Sequence, residues 1–116
     1  MKRLSLALVL ILAAGPALAQ PDGKAVFTTN CQACHQAAGT GIKGAFPALA
    51  GDPFVTGDPS GLTARVLTGK GGMPAFGPQL SDAEIAAVLS YIRSAWSNHA
   101  GAVTPAQVSA ARAAGR

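Results

Sequence analysis

Charge and bulk are both scarce in this chain of 116 residues, where charged side chains make up 12% and aromatic ones 5%, with a single Trp and a single Tyr. So thin a charge set excludes a nucleic-acid surface, which requires Lys and Arg clustered on one face. Two cysteines, Cys31 and Cys34, allow at most one disulfide. No stretch of four or more residues alternates cleanly enough to require a strand, so the chain is expected to be all-α. Long apolar runs are missing too: the stretch from Leu4 to Ala14 is about eleven residues, short of the roughly 20 that span a bilayer.

That run has a different reading. Lys2 and Arg3 precede it, and Ala17-Leu18-Ala19 follows it, the arrangement of a secretory signal peptide with cleavage expected after Ala19. An uncleaved anchor is the alternative. Residues 1–19 are therefore assigned to a leader and 20–116 to one domain, which keeps seven basic and five acidic residues, a net charge of +2. The domain is rich in Ala and Gly and poor in large apolar side chains. Domains this small bury a modest fraction of their surface and often recruit a metal or cofactor, and a flat apolar prosthetic group would supply the missing volume.

The cysteines lie in NCQACHQ, residues 30–36. A disulfide between positions i and i+3 closes too short a loop to restrain the unfolded chain much. Structural zinc takes four Cys or His ligands, and only His35 and the distant His99 accompany the two thiols. A thioredoxin-like pair needs alternating strands and helices around it. The fourth reading is covalent c-type haem attachment, for which C-x-x-C-H is the signature. Two cysteines one helical turn apart form thioethers to the two vinyl groups of one porphyrin, and His35 then lies under the iron. Its other ring N–H needs an acceptor to fix its orientation.

A sixth iron position remains. The domain holds one methionine, Met73, in GKGGMPAFGPQLSD, residues 69–82. Gly71 and Gly72 open backbone conformations closed to other residues, and Pro74 pushes Met73 toward an extended geometry. Such a loop presents a thioether inward without a helix behind it; a core-filling methionine is the competing reading. His99 and the lysines are expected to face solvent.

Helix starts are marked by caps. A first helix is expected from about Asp22 to Ala33. Asp52-Pro53, Asp58-Pro59 and Thr104-Pro105 each pair an N-cap residue with proline at the first helical position, and Pro59 to Thr68 is closed by Gly69. Ser81 to Glu84 has capping-box spacing and opens a long helix to about Ser97, with Ile85, Val88, Leu89, Ile92 and Trp96 in one apolar stripe. Thr104 to Ala114 reads as a weak outer helix whose end frays.

CQACH, FPALAG, GMPAFG and the long helix, in that order, resemble the class I monohaem cytochromes c, over essentially the whole of residues 20–116. From Gly72 on the chain is also similar to the cytochrome domains of bacterial periplasmic dehydrogenase and oxidase complexes. The resemblance implies three to five helices around one covalently bound haem c. It matches Cys31 and Cys34 to the thioether cysteines, His35 and Met73 to the axial iron ligands, and Pro47 to the proline whose carbonyl accepts the His35 N–H. Gly23, Phe27 and Tyr91 match the helix-crossing positions.

A haem with both axial positions filled has no open site for substrate and trades electrons, and His/Met ligation raises its potential. The expected function is a periplasmic, monomeric, non-enzymatic electron carrier in a respiratory chain, exchanging electrons with a dehydrogenase, cytochrome complex or terminal oxidase and meeting the membrane only through such partners. Lys24, Lys43 and Lys70 are candidates for a sparse basic rim that steers an acidic partner. Two alternatives stand beside it: a permanent subunit of a dehydrogenase or oxidase complex, and a peroxidase-like haem enzyme, which needs a vacant sixth position.

Overall fold

The computed structural model describes residues 9–12, 15 and 20–115. Most of the leader assigned to 1–19 lies outside the described residues. No helix among them is long and apolar enough to cross a membrane. They form six helical segments, α1 (Gly23–Asn30), α2 (Gln32–His35), α3 (Pro53–Thr56), α4 (Pro59–Thr68), α5 (Asp82–Ser94) and α6 (Pro105–Ala113). The described residues contain no strand, only isolated bridges between Ile42 and Phe46 and between Lys70 and Met73.

The caps act as the sequence predicts. The Asp22 carboxylate accepts the amides of Lys24 and Ala25, at 3.0 and 3.4 Å, and Asp52 and Asp58 accept those of Phe54 and Ser60. Both halves of the Ser81–Glu84 capping box form. At the other end of α4, Gly69 stops the helix with φ +71°, where a side chain would be strained.

Two helices stop early. The expected helix from Asp22 to Ala33 breaks at Cys31, whose φ of −122° leaves the helical range. The hydrogen-bond ladder then restarts from the Cys31 carbonyl, which accepts the amides of Cys34 and His35 at 3.3 and 3.0 Å. The long helix ends at Ser94 rather than Ser97, because Trp96 and Ser97 take positive φ. Asn98 explains the turn: buried, it donates Nδ2 to the carbonyls of Ile92 and Leu49 and accepts the Gly51 amide. Trp96 therefore leaves the α5 stripe and sends its indole N–H to the Ala37 carbonyl, 2.9 Å away.

Packing starts where α1 crosses α5. A Cβ at Gly23 would sit 2.2 Å from the Ala87 carbonyl oxygen, so only glycine lets the two backbones approach. Next to it Phe27 is fully buried, its ring centroid 5.5 Å from that of Tyr91 and 5.2 Å from that of Trp96. Aromatic pairs at such spacings add stabilisation beyond burial alone. Ile85, Val88, Leu89 and Ile92 complete this core from α5. Buried Arg93 donates to the carbonyls of Gly101, Val55 and Gly57, each at 2.8 Å, which joins α3 to α5. The last helix is firmer than its sequence suggests: Val108 is fully buried, and Arg112 pairs with Asp82 at 2.5 Å.

Candidate functional site

The break at Cys31 turns the motif inward. Cys31, Cys34 and His35 follow one another around the single turn of α2, and both cysteines are free thiols. Burial pushes the Cys31 thiol up to about 11, and Cys34 beside it adds to the shift. Disulfide oxidoreductases need the opposite, a thiol of lowered pKa.

His35 is held by its neighbour loop. Its Nδ1 lies 2.9 Å from the Pro47 carbonyl oxygen. With the proton on Nδ1 that bond is donated to the carbonyl, which leaves the Nε2 lone pair free as a metal donor. Gly41 makes the approach possible: at φ +62° a Cβ there would meet the Phe46 and Pro47 carbonyl oxygens at 2.3 and 2.6 Å. The Gly41 amide in turn donates to the His35 carbonyl at 2.9 Å. Histidine, glycine and proline form one closed unit.

Beneath this unit the core is open. Two cavities, of about 270 and 190 Å³, share Cys31, His35, Pro47, Arg65, Met73 and Phe76 in their walls. Cys34 lines the second. The deeper one is walled by apolar side chains of α1, α4 and α5, among them Phe27, Leu62 and Leu89.

Met73 reaches the same space from the segment after α4. Its amide donates to the Lys70 carbonyl at 3.0 Å and its carbonyl accepts the Lys70 amide at 3.1 Å, which closes the tight loop through Gly71 and Gly72. A Cβ on Gly69 would strike the Met73 carbonyl oxygen at 2.5 Å. Beyond Met73, the Phe76 and Gly77 amides donate to the Val66 and Leu67 carbonyls of α4. Half-buried Met73 is therefore pinned on both sides.

The donor set fits a c-type haem. Two thiols on one turn, an imidazole with one nitrogen already committed, and a thioether all border a cavity that the protein's own side chains leave unfilled. Among the described residues, no three His, Cys, Asp or Glu side chains gather as a metal cluster.

One lining residue escaped the sequence reading. Arg65 borders both cavities, with its guanidinium carbon 4.9 Å above the centre of the Phe54 ring. Its only sequence signal is its place on α4, eight residues before Met73. The candidate basic rim is thinner than expected. Lys70 lines the second cavity, whereas Lys24 lies beside Ala83 and Tyr91 on the α1–α5 face and Lys43 on the outside of the 40–48 loop. His99 is exposed, as expected.

The chain is similar to known c-type cytochromes. Residues 18–92 match the family model described as cytochrome C oxidase, cbb3-type, subunit III. The chain is 37% identical over 106 residues to the cytochrome c subunit of a quinone-dependent alcohol dehydrogenase from Gluconobacter oxydans, covering 80% of this chain but 22% of that one. Against cytochrome c-552 of Thermus thermophilus it is 38% identical over 112 residues, covering 83% and 73% of the two chains. The solved structure of cytochrome c6 from the diatom Phaeodactylum tricornutum superposes with a TM-score of 0.51 at 30% identity, over 77% of this chain and 93% of that one.

Proposed function

The chain belongs to the c-type cytochrome family of the cbb3-type oxidase subunit III, whose members carry covalent haem c, and from that premise we propose a periplasmic, one-electron carrier with His35 and Met73 as axial ligands. One observation carries the reading: His35 and Met73, from segments 38 residues apart, border the same apolar cavity beside Cys31.

When bound, the haem accepts and returns one electron. The chain's residues supply everything else. Cys31 and Cys34 would hold it by thioethers, and the Pro47 carbonyl orients His35 and raises its basicity. The Met73 thioether would be the second protein donor to the iron, a ligand type that raises the potential. Apolar walls from α4 and α5 keep water out, which also tunes the potential. Arg65 brings a cation to the wall of both cavities, a charge that would offset a haem carboxylate. With both axial places filled no reactant can reach the metal, so the protein is proposed to be a carrier and not an enzyme.

A second reading is favoured by the Gluconobacter relative: a cytochrome domain that stays docked in a dehydrogenase or oxidase complex. The chain spans only about a fifth of that subunit and of the gluconate 2-dehydrogenase subunit of Pantoea cypripedii, 22% in each case. Recovery as a free monomer after gentle lysis supports the diffusing carrier, and co-purification with a larger complex supports the docked one.

The proposal is tested by potentiometric titration and carbon monoxide addition. The holoprotein is expected to titrate as a reversible one-electron couple, and its ferrous form to ignore carbon monoxide. Rapid carbon monoxide binding would reveal a vacant sixth position and favour the peroxidase-like alternative.

A further inference from the structure

The last helix, α6, lies outside the stretch that matches the family, yet one of its side chains grips the segment that carries Met73. Arg112 donates Nε to the Asp82 carboxylate at 2.5 Å, Nη1 to the Gly77 carbonyl at 2.6 Å and Nη2 to the Leu80 carbonyl at 2.6 Å. All three nitrogens of the guanidinium are thus engaged, each by an acceptor between Gly77 and Asp82.

Residues 76 and 77 are held from the other side by α4, through the Phe76 and Gly77 amides on the Val66 and Leu67 carbonyls. Gly77 leaves room for this double grip: a Cβ there would sit 2.8 Å from the Leu67 carbonyl oxygen and 3.5 Å from Arg112 Nη1. Fully buried Val108, one turn earlier, seats α6. Charge-assisted hydrogen bonds are about twice as strong as neutral ones, and a planar fork fixes direction as well as distance.

We propose that Arg112 is a positioning residue, a strap from α6 that keeps the Met73 loop closed and so sets how readily an outside ligand displaces the Met73 sulfur. The inference rests on Met73 being the axial ligand. Without the strap the loop keeps its α4 bonds but loses the contacts at the Gly77 and Leu80 carbonyls and their tie to Asp82 at the start of α5, and it opens more often. A competing ligand then binds at the cost of a smaller opening free energy.

The test compares holoproteins carrying Arg112→Gln, Arg112→Lys and, as a destabilised control away from the loop, Tyr91→Ala. Imidazole binding to the ferric form and hydrogen exchange at the Phe76 and Gly77 amides are measured together. Arg112→Gln is expected to tighten imidazole binding roughly tenfold, equivalent to about 1.4 kcal/mol, and to speed exchange at both amides. Arg112→Lys should fall between it and the parent, since one ammonium cannot replace a three-way fork. Unchanged imidazole affinity in Arg112→Gln, or an equal rise in Tyr91→Ala, would overturn the strap. A parent protein without a methionine-to-iron band would overturn the ligand assignment itself, whereas the exchange result reads the grip of α6 on the loop independently of it.

Discussion

Met73→Ala is expected to leave a folded, haem-bearing protein that can no longer work as a high-potential carrier. Residue 73 is half-buried, and its loop is held by the paired backbone bonds between Met73 and Lys70 and by the Phe76 and Gly77 amides on the Val66 and Leu67 carbonyls, none of which involves its thioether. Removing the sulfur therefore changes the metal far more than the fold. The potential should fall by on the order of 0.1 V or more, within the roughly 0.8 V that axial ligands span. The ferrous form should gain carbon monoxide binding, because the walls around residue 73 are mostly apolar. His99 is exposed, and Lys70, in the wall of the second cavity, is a group that a rearranged loop could offer. Potentiometry and a carbon monoxide titration of the variant check both effects. An unchanged potential would make Met73 the core filler that its residue type also allows.

The double variant Cys31→Ala, Cys34→Ala should do more damage. Neither thioether can form, so no haem should survive on the chain through denaturing electrophoresis. The cavity then stays without its occupant. The apolar side chains that line about 270 Å³ of space would then lose their packing partner, in a domain held together by only about 5–15 kcal/mol. Phe27, Leu62, Leu89 and Ile92 would be left facing a void that their own helices cannot close. Far-ultraviolet circular dichroism should show most of the helix content lost. A variant with native helicity and native thermal stability would mean that the chain does not depend on the haem for its core.

Much of this architecture is legible from residues alone, because its signals are local. Asp-Pro and Thr-Pro pairs set the starts of α3, α4 and α6, and a side-chain cap needs only its own next three residues. The order of CQACH, FPALAG and GMPAFG announces the family. The early ends of α1 and α5 were not visible. They depend on Asn98 reaching back to Ile92 and Leu49, and on the torsion of Cys31, which spacing does not encode. Arg93 and Arg112 carry no signal of their roles in the sequence. Each satisfies carbonyls from distant segments, and tertiary hydrogen bonds of that kind leave no periodic trace. Arg65 escaped for a similar reason: its place in the cavity wall follows from how α4 rotates, not from any motif.

The central claim, one haem held between His35 and Met73, has a direct test in the composition of the chain. From Gln20 on there is a single methionine, so methyl-labelled methionine reports on residue 73 alone. Proton NMR of the ferrous holoprotein should show that methyl displaced far upfield by the porphyrin ring current, and the ferric form should show the sulfur-to-iron charge-transfer band. A methyl signal at the ordinary thioether position, with a high-spin ferric spectrum, would contradict the account.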